Sequence, residues 1–169
     1  YAYPWKRDLY VIDVKSGKRT LVKKGSAGYH RISPKGKYTT WYEPEDTAWY
    51  AYDISGFEII NLSRGIKNPV YDVDNDVPTF PNSYGSGGWI EGDKGFIIYD
   101  EYDVFVVDPK KPMSPKRITK GREQNLTYRV YSLNNDIEYI EDSKAYVSIF
   151  NHQSKTQNFG SIDFKSGKI

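Results

Sequence analysis

The 169-residue chain has no cysteine, one methionine and two histidines, His30 and His152. Without cysteine there is no disulfide framework and no thiolate metal site. That absence suits a cytoplasmic and a periplasmic setting equally. No apolar run approaches the roughly 18–20 residues of a membrane span, so no membrane partner is expected. Helical periodicity is almost lacking. So is any excess of one charge: 24 basic against 22 acidic side chains leave a net +2, without the basic stripe that nucleic acid requires. What abounds is aromatic, with 16 Tyr, 7 Phe and 4 Trp among 14 Gly and 9 Pro. That mixture suits strands and turns rather than helices.

A repeated unit organises the chain. Residues 49–65, WYAYDISGFEIINLSRG, read as two strands joined by a tight turn. Residues 8–25 and 102–121 repeat the pattern, and 159–169 repeat it in part. Each copy runs from apolar and aromatic residues to an aspartate, then a turn, then a second strand. The aspartates are Asp13, Asp53, Asp108 and Asp163, spaced by 40, 55 and 55 residues. A period of that size predicts β-propeller blades of about 40–50 residues. The expected fold class is therefore all-β, a partial propeller of consecutive four-stranded antiparallel blades. The expected units are a half-blade at 8–25, a blade at 28–65, a long loop at 65–88, a blade at 85–121 and an incomplete blade at 126–169. The first unit lacks two inner strands and the last lacks its outer one. A closed ring takes four or more blades, so this chain alone should not close. No signal peptide is recognisable, and the chain starts and stops within repeats, which predicts a piece of a longer protein.

Residues 9–14 are apolar on both alternating faces, which predicts a strand covered on both sides. Residues 126–140 read as the start of the last unit. The loop at 65–88 carries three prolines and the acidic residues Asp72, Asp74 and Asp76, and long ordered loops usually serve a function.

Several stretches together resemble the propeller domain of prolyl oligopeptidase (S9) serine peptidases, in particular bacterial, Bacteroidetes-type dipeptidyl-peptidase-like members. They are Ser33-Pro34-Lys35-Gly36-Lys37-Tyr38, WYAYDI at 49–54, Asn61-Leu62 ahead of Arg64-Gly65, and the loop 71–88 running into Trp89. TolB-like propellers share the S-P-x-G-K turn, although Lys35 stands where Asp or Gly is commoner. The resemblance implies a secreted or periplasmic parent in which the propeller caps an α/β-hydrolase domain and filters peptide substrates. The hydrolase domain would be this chain's partner. The catalytic triad would lie in that domain, and no G-x-S-x-G elbow occurs here. Ser86 has Gly neighbours, but Tyr84 breaks the spacing. No catalytic, cofactor-binding or metal-binding residue is therefore assigned, and no cofactor is expected. The alternative is a TolB-like module that binds protein or glycan partners.

Four constellations invite a functional reading. A triad would need His30 or His152 to touch a serine and a carboxylate; a structural turn or edge histidine is the commoner case. Asp72, Asp74 and Asp76 have alternating calcium-loop spacing, but Val77 and Ser83 stand where an EF-hand needs Gly and Glu, so a solvated acidic loop is expected. The aromatics at 41, 42, 49, 50, 52, 89, 99 and 102 are expected to fill the space between blades rather than form a stacking platform. Basic pairs such as Lys110-Lys111 read as exposed turns.

Overall fold

The computed structural model describes residues 5–133, 138–142 and 144–169. It is almost entirely β, built as successive antiparallel sheets. The first has two strands, β1 (Arg7–Ile12) and β2 (Arg19–Ser26). The second is a four-stranded meander of β3 (Arg31–Ile32), β4 (Tyr38–Glu43), β5 (Ala48–Asp53) and β6 (Glu58–Asn61). The third holds β7 (Ser86–Ile90), β8 (Phe96–Tyr99), β9 (Val104–Val107) and β10 (Lys116–Arg117). One helical turn, α1 (Gly121–Gln124), leads to β11 (Leu126–Tyr131). β12 (Tyr139–Ile140), β13 (Ala145–Asn151) and β14 (Thr156–Ile162) follow. The fourth sheet has the order β11-β13-β14. These sheets are propeller blades packed in sequence.

The four repeat aspartates occupy one structural position, the tight turn that follows β1, β5, β9 and β14. Asp13 Oδ1 accepts the Lys15 and Ser16 amides and the Ser16 hydroxyl. Asp53 Oδ1 accepts the Ser55 and Gly56 amides and the Ser55 hydroxyl. Asp108 takes the Lys110 amide, and Asp163 the Ser166 amide and hydroxyl. A short acid that bonds its own backbone two or three residues on fixes a tight turn.

The core lies between blades. Tyr38, Ala51 and Leu62 of the second blade pack on Trp89, Phe96, Ile98, Phe105 and Val107 of the third. The opposite face of that third blade gives Ile97, Tyr99 and Val104, which meet Tyr128, Ala145, Val147 and Ile162 of the fourth. All four residues of β8 are buried because it has a neighbour on each side. The aromatics serve this packing: Tyr38 and Trp89 stack with centroids 5.0 Å apart, and Trp49 and Phe96 meet at 5.4 Å.

Two expectations are corrected. Among the described residues the 9–14 strand is not covered on both faces: Tyr10, Ile12 and Val14 are exposed. Alternation shows that a strand can accept two neighbours, not that it has them. Nor do residues 126–140 form one unit. β12 leaves the fourth blade and pairs in parallel with β7 of the third, Tyr139 opposite Trp89 and Ile140 opposite Ile90. A two-residue strand carries no period that a sequence can display.

Candidate binding groove

β3 and β7 are the first strands of the second and third blades. Between the second and third blades they leave a groove of about 870 Å³. Its floor is Trp49, Trp89 and Phe96; Tyr29, Arg31 and Ile32 form one wall and Tyr139 and Ile140 the other. Ser83, Gly85 and Gly88 close one end. That volume is in the range of ligand-binding clefts, and the groove's lining mixes aromatic side chains with polar ones, among them Arg31, Ser83 and Glu138.

Local sequence explains each wall. The turn at 33–38 is locked by Ser33, whose amide donates to Tyr38 O and whose hydroxyl donates to Asp93 Oδ2 at 2.6 Å. Asp93, buried and at φ +58°, belongs to the third blade, and it also accepts the Lys35 amide. This carboxylate thus sets the spacing of the two blades that flank the groove. Along β7, Gly87 allows close approach: a Cβ there would come within 2.7 Å of Ile97 Cγ2 and Tyr99 Oη. Gly88, at φ +85°, follows a register shift between Ser86 and Gly88. A bulge of this kind re-aims the strand at the groove.

The wall at β3 is unusual in its exposure. Tyr29 is 90% and Ile32 67% exposed. Antiparallel pairs alternate between hydrogen-bonded and non-bonded. Because Ser33 and Tyr38 form a bonded pair, Ile32 and Thr39 form the next, non-bonded one. The amide and carbonyl of Ile32 therefore point away from β4, along the free edge. β12 likewise ends its sheet.

Of the sequence's candidate residues, Trp49 and Trp89 line the groove, while the histidines and the acidic loop residues fall elsewhere. His30 Nε2 lies 3.0 Å from the hydroxyl of Ser26, which donates to Glu43 Oε2 at 2.9 Å. The serine stands between imidazole and carboxylate, whereas a triad puts the imidazole in the middle. Burial pushes the His30 pKa down, against the pull of Glu43. Burial alone would raise the Glu43 carboxyl, but hydrogen bonds from Lys23, Ser26 and the Ala27 amide outweigh it and hold it low. The cluster joins the first blade to the second. His152 Nε2 lies 2.8 Å from the Thr127 hydroxyl and packs on Tyr102 and Phe150. In the 65–88 loop, Asp72 Oδ1 accepts the Asp74 amide, and no group of three metal-ligating side chains converges among the described residues.

An acidic pair, which the sequence did not disclose, ties the third blade to the turn at α1 and to the 65–88 loop. Asp103 Oδ1 accepts the Thr119 hydroxyl and the Gly121 amide, each at 2.6 Å, and Oδ2 accepts Arg117 at 2.6 Å. Asp100 accepts the Tyr102 and Asp103 amides, Asn68 and Arg122. Both are fully buried, and both are paired as buried charge requires. Nearby, Tyr99, pushed up to about 12 by burial, accepts the Val130 amide and carries the Arg129 guanidinium over its ring.

The groove itself was legible only in part. Its local signals were the aromatics Trp49 and Trp89 and the end of the long 65–88 loop, all of which line it. The opposite wall depends on β12, which lies some fifty residues along the chain from β7.

No family model matches this sequence, and no curated protein does. Among solved structures, TolB from Acinetobacter baumannii is similar at 16% identity and a TM-score of 0.42, over 91% of this chain and 37% of that one. The putative TolB from Agrobacterium tumefaciens is similar at 12% identity and a TM-score of 0.33, over 96% of this chain and 68% of that one. This chain thus spans little more than a third of the first of these, and its blades are assigned from their own strand order and register.

Proposed function

We propose that this chain is a non-catalytic, TolB-like propeller module that binds a protein or glycan partner in the groove between its second and third blades. The observation that carries this reading is the groove: an aromatic floor, two large exposed side chains on one wall, and blade spacing set by a buried carboxylate. Exposed apolar side chains gathered at a concave site mark an interaction surface. The periplasm or the cell exterior is the proposed setting.

The test screens the purified chain against a glycan array and a displayed library of random decapeptides, in parallel with the double variant Tyr29→Ala, Arg31→Ala. Ligands of one class are expected to bind the native chain and lose affinity on the variant. If neither class binds, or if the variant binds every ligand as well, the reading is overturned.

The narrower reading, a segment of an S9-type peptidase propeller, is favoured by the long loop, whose end at Ser83 to Gly88 lines the groove. In that setting the loop would shape the path of peptide substrates to an α/β-hydrolase domain of the same parent chain. The chain alone would then show no peptidase activity. A G-x-S-x-G elbow followed by Asp and His further along the parent gene supports this reading, and its absence removes it.

A further inference from the structure

We infer that the groove takes an extended peptide segment, which adds as a strand to the free edge of β3. This rests on the reading of the groove as a binding site and names its occupant.

A free strand edge presents unpaired amides and carbonyls, and an incoming extended chain satisfies them with main-chain hydrogen bonds. At β3 the outward groups are those of Ile32, as the ladder with β4 dictates. No described residue pairs with that edge. The protein already carries out the same reaction on the neighbouring blade, where β12 lies along the first-strand edge of β7. The two edges differ in what covers them: β7 has β12, and β3 has only the groove.

Side-chain chemistry fits the same occupant. A docked strand alternates its side chains between two faces. One face would rest on Trp49, the partly exposed ring of the floor, which suits branched or aromatic residues. Arg31 lines the groove, is exposed and makes no ion pair among the described residues. It would meet an acidic residue of the peptide. A glycan could use the aromatic floor, but its hydroxyls do not repeat at the spacing of a strand's amides and carbonyls.

Ile32→Pro, measured beside Ile32→Ala to account for the lost side chain, tests the claim. Proline removes one amide hydrogen, and at this position that hydrogen points away from β4, so the native ladder keeps its bonds. The best peptide from the decapeptide library is synthesised and its affinity measured for native, Ile32→Ala and Ile32→Pro protein. In a companion series, alternate peptide amides are N-methylated along one edge or the other and titrated into the native protein. The expected result is a loss of about tenfold or more, ~1.4 kcal/mol, on Ile32→Pro relative to Ile32→Ala. One of the two N-methyl series is expected to lose binding while the other retains it. Equal affinity for Ile32→Ala and folded Ile32→Pro overturns strand addition. So does equal tolerance of both N-methyl patterns, which decides the matter if Ile32→Pro does not fold. In either case, continued sensitivity to Tyr29→Ala, Arg31→Ala leaves the binding module standing. Glycan binding without peptide binding likewise ends this inference alone, and binding of neither class ends both.

Discussion

At the scale of single residues, the hydrogen-bonded chain from His30 through Ser26 to Glu43 makes a definite statement about pH. The imidazole is half-buried beside Lys23 and Arg7 as well as Glu43, and burial favours its neutral form. A histidine whose folded pKa lies below its ordinary value of 6.5 contributes stability that is complete above that value. The contribution is lost as pH falls towards the folded pKa. Glu43, held below its ordinary 4.5, contributes in the same sense, but only from about that pH downward. Melting temperature is thus expected to decline below pH 6.5 and more steeply below 4.5. His30→Gln keeps a donor for Ser26 but does not titrate. It should flatten the upper part of that decline and leave the lower part unchanged. A melting curve of the variant that retains the full slope between pH 6.5 and 5 would assign the decline to other groups.

At the scale of elements, the turns were legible and the joints were not. Asp13, Asp53, Asp108 and Asp163 could be aligned from sequence because each bonds backbone two or three residues away, so cause and effect sit in one short window. The joints between blades are built from residues 17 to 60 positions apart, such as Ser26 with Glu43 and Ser33 with Asp93. A single sequence has no means of pairing them. Three copies of the repeat close on a basic residue and Gly (24–25, 64–65 and 120–121), a signal that lies between these extremes. It marked the crossing to the next blade, and the structure supplies the reason at Gly121. A Cβ there would come within 2.2 Å of Leu126 O and 2.9 Å of Tyr102 O, both main-chain atoms that cannot turn aside. Gly121→Ala should therefore cost about 2–3 kcal/mol in denaturant unfolding, the scale of an overpacked core position. Asp93→Asn tests a joint rather than a crossing. Asparagine tolerates the positive φ of this position, so the substitution removes charge and one acceptor without adding strain. The loss should be about 1–2 kcal/mol, the difference between a charge-assisted and a neutral set of bonds. A change below about 0.5 kcal/mol, the usual range for surface sites, would mean that the carboxylate does not hold the blades together.

Across the whole molecule, stability should be graded along the stack. The third blade has an apolar cluster against each face, shared with the second blade on one side and the fourth on the other. The first blade has much less. Tyr10, Ile12 and Leu21 of its hairpin are exposed, and its link to the second blade includes the pairs Lys23–Glu43 and Lys6–Glu45. Lys6 and Glu45 are largely solvated, and such pairs contribute little. The fourth blade is intermediate: Val147 and Ile162 are fully buried on one face, while Tyr131, Tyr146 and Phe159 are exposed on the other. Local opening follows buried apolar contact, so amide exchange should reveal three tiers. Amides of β8 and β9 should exchange only by global unfolding, those of β13 somewhat faster, and those of β1 and β2 fastest. Adding denaturant in small steps should bring the slow amides together and leave the β1–β2 set apart, because the hairpin opens without the rest. If β1 and β2 instead exchanged with the same denaturant dependence as β8, the blades would unfold as one cooperative body. The polar joint at Glu43 would then couple the first hairpin to the core as firmly as the aromatic packing couples the second blade to the third.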